Sequence, residues 1–302
     1  MHILTDSEKL SDIKVVGLVV RPNSPKLKKE YLKLKDLLDS FNIKLLVSKN
    51  SANFLECEGV EEDELFSKSD FIVSIGGDGT LISLARRCYH YNKPILGVNA
   101  GRLGFLTDIP LKKMEKFVTK MIKKQKYRID KRMFLEVELI GQETKKLVAF
   151  NDVVFIRPSY DGMIDLEAYA SSKQTSMEEK HINNYYGDGL IVSTPTGSTA
   201  YNLSAGGPIV FPFTKALILT PICPHSLTQK PIVLPDDFEV SFKTNSPTLV
   251  VVDGQDSYDF KDCEKVKVTI SKKYINMIHR VERNYFDVIK QKLDWGSNDT
   301  KI

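Results

Sequence analysis

Residues 70–80 read DFIVSIGGDGT. Asp70–Ile75 is a short apolar run of the kind a buried strand shows. It ends at three glycines, Gly76, Gly77 and Gly79, ahead of a helical pattern over Thr80–His90. A strand that passes through glycines into a helix belongs to an open α/β sheet, where ligands gather beyond the carboxyl ends of the strands. Glycines there let a bulky group approach the backbone, and they permit positive φ. Their N–H groups, with the start of the helix, suit a phosphate. Thr80 is placed to cap that helix. Asp78 is the odd member, because a carboxylate among phosphate-binding amides is electrostatically unfavourable. It either accepts a proton from an attacking hydroxyl or holds a divalent cation that bridges phosphates. The plainer alternative is a tight strand-to-helix turn with Asp78 as a local cap.

The flanking segments extend the same pattern. Lys14–Val20, Ile43–Val47 and Pro94–Val98 read as strands. Leu27, Tyr31, Leu34, Leu37 and Leu38 form a helical stripe, and Leu111–Lys124 is a further helix. Strands alternating with helices imply a parallel sheet covered on both faces. The segment NAGRLGFL, residues 99–106, follows one of these strands and falls on the same sheet edge as the first glycine cluster. Asn99 offers a donor and an acceptor, Gly101 and Gly104 allow close backbone approach, and Arg102 can meet a phosphate.

Near residue 125 the period changes to two. Phe134–Ile140, Leu147–Ile156, Ile164–Ala170, Leu190–Ser193, Glu239–Lys243, Leu249–Val252 and Val266–Ile270 are strand-like, with turns between them. Ser171–Lys180 reads as an exposed hairpin tip, and Asn284–Leu293 as a last helix before a frayed tail. The fold class expected is α/β plus β-rich: a Rossmann-like parallel-sheet domain over 1–125, a β-sandwich-like domain over 126–278, and a C-terminal segment over 279–302.

Composition narrows the functional classes. The 302 residues suit two domains at about 150 each. The 42% hydrophobic and 27% charged content excludes a disordered, collagen-like or disulfide-scaffold chain. No stretch approaches the ~20 apolar residues of a membrane span, and the opening MHILTDSEKLSD is too polar for a secretory leader. Cys57, Cys88, Cys223 and Cys263 form no CxxC pair and read as reduced thiols of a cytoplasmic protein. The net charge of +4 defines no partner, although ten of the basic residues fall within 111–132. That segment is either a polyanion patch or the solvated face of a helix whose Leu111, Met114, Phe117, Val118, Met121 and Ile122 point inward. Without an aromatic stacking platform the second reading is preferred. Neither nucleic acid nor membrane is expected as a partner.

Polar constellations recur in the β-rich part. Gly187-Asp188-Gly189 precedes a strand. The following STPTGSTAY, residues 193–201, carries five hydroxyls ahead of a helix expected from about Thr199. Such a loop offers uncharged donors and acceptors for ribose and base edges, or simply caps a helix. Asn151-Asp152 opens a strand, Pro221–Leu227 (PICPHSL) is a rigid loop, and Asp253-Gly254-Gln255 is a tight-turn signal. His225 and Ser226 have no partner motif for a hydrolase, and Cys223 with His225 lacks a second pair for zinc.

In chain order these segments resemble the NAD kinase family: GGDGT at 76–80, NAGRLGFL at 99–106, ND at 151–152, GDG at 187–189, TPTGSTAY at 194–201, PICPHSL at 221–227 and DGQ at 253–255. FDVIKQKLDW at 286–295 is similar to the family's closing segment. GGDGT alone is shared with lipid and sugar kinases; TPTGSTAY with PHSL is far more specific. The resemblance implies transfer of a phosphoryl group to the 2′-hydroxyl of NAD's adenosine ribose, in a cleft between the two domains, with the tail returning to the first. It implies ATP or polyphosphate as donor, Mg²⁺ or Mn²⁺ as the metal with no ligand assigned, and a homodimer or homotetramer. Asp78 would be the catalytic carboxylate. Gly76, Gly77, Gly79, Thr80, Asn99 and Gly101 would line the donor phosphates. Gly79, Asn151, Asp152, Asp188, Thr199, Ala200, Tyr201 and Ser204 would hold NAD, and His225 would order its loop. Position 152 is Asp where many members carry Glu, and the 171–180 hairpin is longer than usual.

Two other classes compete. A lipid or sugar kinase would share GGDGT but leaves TPTGSTAY unexplained. A non-enzymatic dinucleotide sensor would not require Asp78. A Rossmann dehydrogenase is weaker still, because no GxGxxG opens the first helix.

Overall fold

The computed structural model describes residues 10, 12–101, 103–159 and 162–296. Arg102 and the tail beyond 296 lie outside the described residues. The chain divides into two compact units, one drawn from residues 1–131 and 275–302, the other Arg132–Tyr274.

The first unit contains β1 (Val15–Val20), α1 (Lys28–Asp39), β2 (Lys44–Val47), α2 (Lys49–Leu55), α3 (Glu62–Lys68), β3 (Phe71–Gly76), α4 (Asp78–Arg87), β4 (Ile95–Asn99), β5 (Ile109–Pro110) and α5 (Met114–Ile122). β1 pairs in parallel with β2 on one side and β3 on the other, and β3 pairs in parallel with β4. The strand order therefore reverses between β1 and β3, the point in an open sheet where a crevice forms at the carboxyl ends. Every residue of β3 is buried, as a strand covered on both faces requires.

Of the basic segment, α5 buries Met114, Phe117, Val118 and Met121, and its lysines face out. Each such burial is worth roughly 2 kcal/mol. Two of the ten basic residues depart from the solvated-face reading. Arg128 pairs with Asp130, and Arg132 is only 2% exposed, its guanidinium 5.6 Å from the Phe213 ring centre.

The strands that follow are β6 (Arg128–Ile140), β7 (Thr144–Ala149), β8 (Asp152–Ile156), β9 (Ile164–Ser172) and β10 (Met177–Ser193). After the one-turn α6 (Tyr201–Ser204) come β11 (Ala216–Pro224), β12 (Ile232–Pro235), β13 (Phe238–Thr244), β14 (Leu249–Val252), β15 (Asp256–Asp259) and β16 (Lys265–His279), then α7 (Tyr285–Leu293). The second unit's pairing is antiparallel. Its core centres on Phe155, Phe242 and Phe260.

Several expectations are corrected. The predicted strand 147–156 is two strands, because Phe150-Asn151 turns between β7 and β8. Gly187-Asp188-Gly189 lies inside β10 rather than ahead of it. Pro221–Pro224 are the end of β11, not a loop. The helix expected from Thr199 is a 3-10 turn over Gly197–Thr199 and a single turn of α-helix, broken at Ala200. β16 continues nine residues past the predicted Ile270, and Met277 and Ile278 pair in parallel with Ile95 and Leu96 of β4. The four cysteines are free. No described helix is long and apolar enough to cross a membrane.

Candidate active site

In the first unit the glycine turn is built differently from its expectation. None of Gly76, Gly77 and Gly79 has positive φ; Gly77 is extended at φ −107°, so the strand runs straight into the helix. α4 begins at Asp78, and Thr80 is its third residue rather than its cap. The Thr80 side chain instead lies across Gly76, where a Cβ would come within 2.5 Å of its Oγ1. No side chain caps α4, which leaves its first-turn amides to an anion. A cavity of 450 Å³ opens beside them at the carboxyl end of β1, lined by Val20, Pro22, Asn50, Phe54, Gly79 and Thr80 among others. This is the crevice that the strand order anticipates.

The Asp78 side chain turns toward the segment after Asn99. Oδ1 accepts from the N–H of Leu106 at 3.1 Å, the N–H of Thr107 at 3.0 Å and the Thr107 hydroxyl at 2.9 Å. Oδ2 accepts from the N–H of Phe105 at 2.7 Å. Two carboxylate oxygens offer about four lone-pair sites, so Oδ1 is saturated and, among the described residues, Oδ2 keeps one acceptor position. Gly104 is what permits this approach: a Cβ there would sit 2.0 Å from Asp78 Oδ1. Asn99 spends its amide on the same segment, donating to Thr107 Oγ1 at 2.9 Å and accepting from the Gly101 N–H at 2.7 Å. Gly101 is exposed.

The second unit repeats the device. Asp253 occupies the turn between β14 and β15 at φ 50°, followed by Gly254 at φ 63°. Its carboxylate accepts from the N–H of Phe150 and Asn151 at 2.7 Å and of Asp152 at 3.0 Å. Asp152 is only 5% exposed. Burial, reinforced by the negative charge of Asp253, pushes its carboxyl up to about 7.

The hydroxyl-rich loop is largely self-consuming. Thr194 Oγ1 donates to Phe150 O and accepts from the Gly197 N–H. Ser193 Oγ donates to Thr194 O, and Ser198 Oγ to Pro195 O. Thr196 is 8% exposed, and Thr199 Oγ1 reaches Thr196 O at 3.5 Å. A side chain at Gly197 would lie 2.2 Å from Asn151 O, so this glycine lets the loop close on the ND turn. Tyr201 and Ser204 are exposed, while Thr199 and Ala200 are half-buried. Asp188 pairs with Arg157 at 3.0 Å. The exposed His225 donates its backbone N–H to Tyr186 O and sets its ring edge against the Tyr186 ring.

Sequence reasoning missed Thr107 and Asn202, and quoted Asp253 without giving it a role. Thr107 sits one position past the quoted NAGRLGFL. Asp253 was read as a turn residue. The fully buried Asn202 donates to Ser198 O and Pro208 O and accepts from the Thr220 hydroxyl, which holds the loop from behind. Of these, only Asp253 carried a signal, its place in the Asp-Gly turn of DGQ.

Among the described residues, no group of three or more His, Cys, Asp or Glu side chains is placed to hold a metal ion. The Mg²⁺ or Mn²⁺ expected from the sequence therefore finds no protein cage among the described residues.

The family model of the ATP-NAD kinase N-terminal domain matches residues 16–127, and that of the C-terminal domain residues 150–280. A protein named NAD kinase from Sulfurimonas denitrificans is 46% identical over 286 residues, 94% of this chain and 98% of that protein. One from Wolinella succinogenes is 46% identical over 290 residues, covering 95% and 97%. A crystal structure of yeast NADH kinase complexed with NADH has the same fold, with a TM-score of 0.85 at 22% identity over 100% of this chain and 95% of that one. So has an NAD kinase from Archaeoglobus fulgidus in complex with ATP, with a TM-score of 0.73 at 24% identity over 93% and 98%. With both domain models matched in order and relatives alike along almost the whole chain, this protein belongs to the NAD kinase family.

Proposed function

We propose that the chain phosphorylates the 2′-hydroxyl of the adenosine ribose of NAD, with ATP as donor, and releases NADP and ADP. One observation carries the assignment of roles. Asp78 is fixed by three amides and a hydroxyl, stands at the uncapped start of α4, whose next residues Gly79 and Thr80 line the 450 Å³ cavity, and keeps one acceptor position on Oδ2 among the described residues. A ribose hydroxyl is a poor nucleophile, and phosphoryl transfer to it needs alignment and a place for the proton. The 2′-oxygen attacks the γ-phosphorus, the bond to the β–γ bridging oxygen breaks, and the proton passes to Asp78 Oδ2.

The cavity supports a nucleotide donor. Pro22 and Phe54 offer apolar surface for a nucleoside, and Gly79 and Thr80 lead from it to the α4 amides. Gly76, Gly77, Thr80, Asn99 and Gly101 surround the transferred phosphates in this reading, Asn99 through the Gly101 and Thr107 contacts it maintains. A divalent ion carried on those phosphates would neutralise their charge. Asn151, Asp152, Asp188, Thr199, Ala200, Tyr201 and Ser204, with Gly79, take the dinucleotide. Asp152, with a carboxyl near 7, is able to donate as well as accept at neutral pH. His225 steadies the loop after β11 through Tyr186. The protein works in the cytoplasm as a homodimer or homotetramer; its four free thiols suit that compartment.

The test is an endpoint assay. Purified chain, NAD and Mg²⁺ are incubated with ATP or with polyphosphate, and NADP is quantified with a strictly NADP-dependent dehydrogenase. NADP is expected with ATP, and no product is expected from 2′-deoxy-NAD. A blank with both donors contradicts the reading; retained NAD binding in that case points to the sensor.

A further inference from the structure

The loop that grips Asp78 is itself gripped by the start of the C-terminal segment, at residues that belong to no motif. Arg283 Nη2 donates to Phe105 O at 2.5 Å. That carbonyl belongs to the peptide whose N–H, on Leu106, donates to Asp78 Oδ1. One peptide unit is therefore held at its oxygen by a guanidinium and at its nitrogen by the carboxylate, an arrangement in which each hydrogen bond polarises the next. Three residues on, Asp108 accepts from His279 Nδ1 at 3.0 Å. Residues 105–108 are thus tied at both ends to 279–283, with the Leu106 and Thr107 contacts to Asp78 between the two ties.

The ties are buried and charge-matched. Arg283 is 5% exposed, and His279 is fully buried. Arg283 Nη1 donates to Asp130 Oδ2 at 3.1 Å, Arg128 bonds the same carboxylate, and Arg128 Nη1 donates to Arg283 O at 2.8 Å. Arg283 Nε and Arg280 Nε stand 3.6 and 3.7 Å from Asp108 Oδ2. Burial keeps His279 below its usual range, reinforced by Arg283, so it donates as a neutral ring. Two carboxylates therefore face the Arg128 and Arg283 guanidiniums, with the half-exposed Arg280 alongside.

We propose that Arg283 is a positioning residue for phosphoryl transfer: it fixes the Phe105–Leu106 peptide and, through it, the Asp78 carboxylate. The proposal rests on the kinase reading for its consequence but not for its geometry. A lysine at 283 keeps the charge and loses the planar fork that serves Asp130 and Phe105 together.

The test compares full-length wild type, Arg283→Lys and Asp130→Asn by hydrogen exchange with mass spectrometry and by steady-state kinetics. Asp130→Asn keeps Arg283 while neutralising its anchor, and it carries the test should Arg283→Lys not fold. For Arg283→Lys the amides of Leu106 and Thr107 are expected to exchange at least tenfold faster, with β3 unchanged. Its kcat is expected to fall about tenfold while KM for NAD and for ATP stays within twofold. Asp130→Asn follows in the same direction by less. Unchanged exchange at 105–107 in a folded variant overturns the clamp. Faster exchange with kcat within twofold of wild type overturns the positioning role. A wild type that makes no NADP defeats the kinase reading, and the exchange arm, which needs no turnover, separates that failure from the other two.

Discussion

Asp78 gathers the amides of Phe105, Leu106 and Thr107, and Asp253 gathers those of Phe150, Asn151 and Asp152. The device is the same in both units, three consecutive N–H groups on one carboxylate, but the outcome differs. In the first unit the gathered loop serves the carboxylate. Asp78 stands half-exposed at a helix start with an acceptor position left over. In the second unit the carboxylate serves the loop. Asp253 draws the ND turn into place and so brings its own charge close to the buried Asp152, whose carboxyl moves up to about 7. Gathering amides thus leaves one carboxylate half-exposed and adds, at the other, a second push to the one burial already gives Asp152. Which result follows depends on what stands next in the chain, not on the hydrogen bonds.

The largest effect expected from breaking this comparison is on the first side. Gly104→Ala places a methyl against Asp78 Oδ1, and kcat should fall about a hundredfold, since displacing a reacting group by an ångström costs that much. NAD affinity measured by calorimetry should barely change. Equal kcat would mean that the 105–107 loop does not fix Asp78.

On the second side, Asp253→Asn removes the charged acceptor of three amides. We expect a stability loss of about 3 kcal/mol in urea unfolding and a rise in KM for NAD of about tenfold, as the ND turn loosens. A variant with wild-type stability would show that the turn holds itself.

A pH experiment sharpens the contrast. The folded-state pKa of Asp152 is raised, from 3.8 to about 7. Between those values the folded protein keeps a proton that the unfolded chain releases. The associated stability is full below pH 4 and is lost as pH rises through 7, a decline on the order of a few kcal/mol. Asp152→Asn cannot titrate, so its melting temperature should gain on wild type from pH 5 to pH 8. Parallel curves would deny the burial argument.

The smallest effect is expected from Thr107→Val. It deletes one of four hydrogen bonds to Asp78, and kcat should fall about fivefold, the equivalent of one modest hydrogen bond. A loss as large as that of Gly104→Ala would make the hydroxyl, not the amides, the main support.

These pairings show what was legible in the sequence. The parallel sheet was, because buried strands such as Phe71–Gly76 are apolar runs bounded by glycine. Asp78 stood out because a carboxylate is out of character in a phosphate turn. The partners of Asp78 were not legible. Backbone amides of Phe105 and Leu106 carry no residue signature, and Arg283 lies more than two hundred positions away in sequence. Of the two reasons the glycines suggested, positive φ fails, since Gly77 uses no left-handed conformation, while close approach holds at Gly104. Of the hydroxyls of 193–199, those of Ser193, Thr194 and Ser198 close their own loop, an alternative the composition left open. The run of β16 past Ile270 was hidden by SKKYIN, whose lysines break the apolar pattern just where the strand passes from one unit to the other.

The most direct test of the central claim is the rate of phosphoryl transfer in a single turnover, followed by rapid quench with NAD and ATP saturating, for wild type and Asp78→Asn. An asparagine keeps the size of the side chain but cannot take a proton from the 2′-hydroxyl, and it sets an N–H against the amides of 105–107. We expect the transfer rate to fall by about a thousandfold or more, with the NAD dissociation constant within a few-fold of wild type. A single-turnover rate within tenfold of wild type would show that Asp78 holds its loop and takes no part in the chemistry.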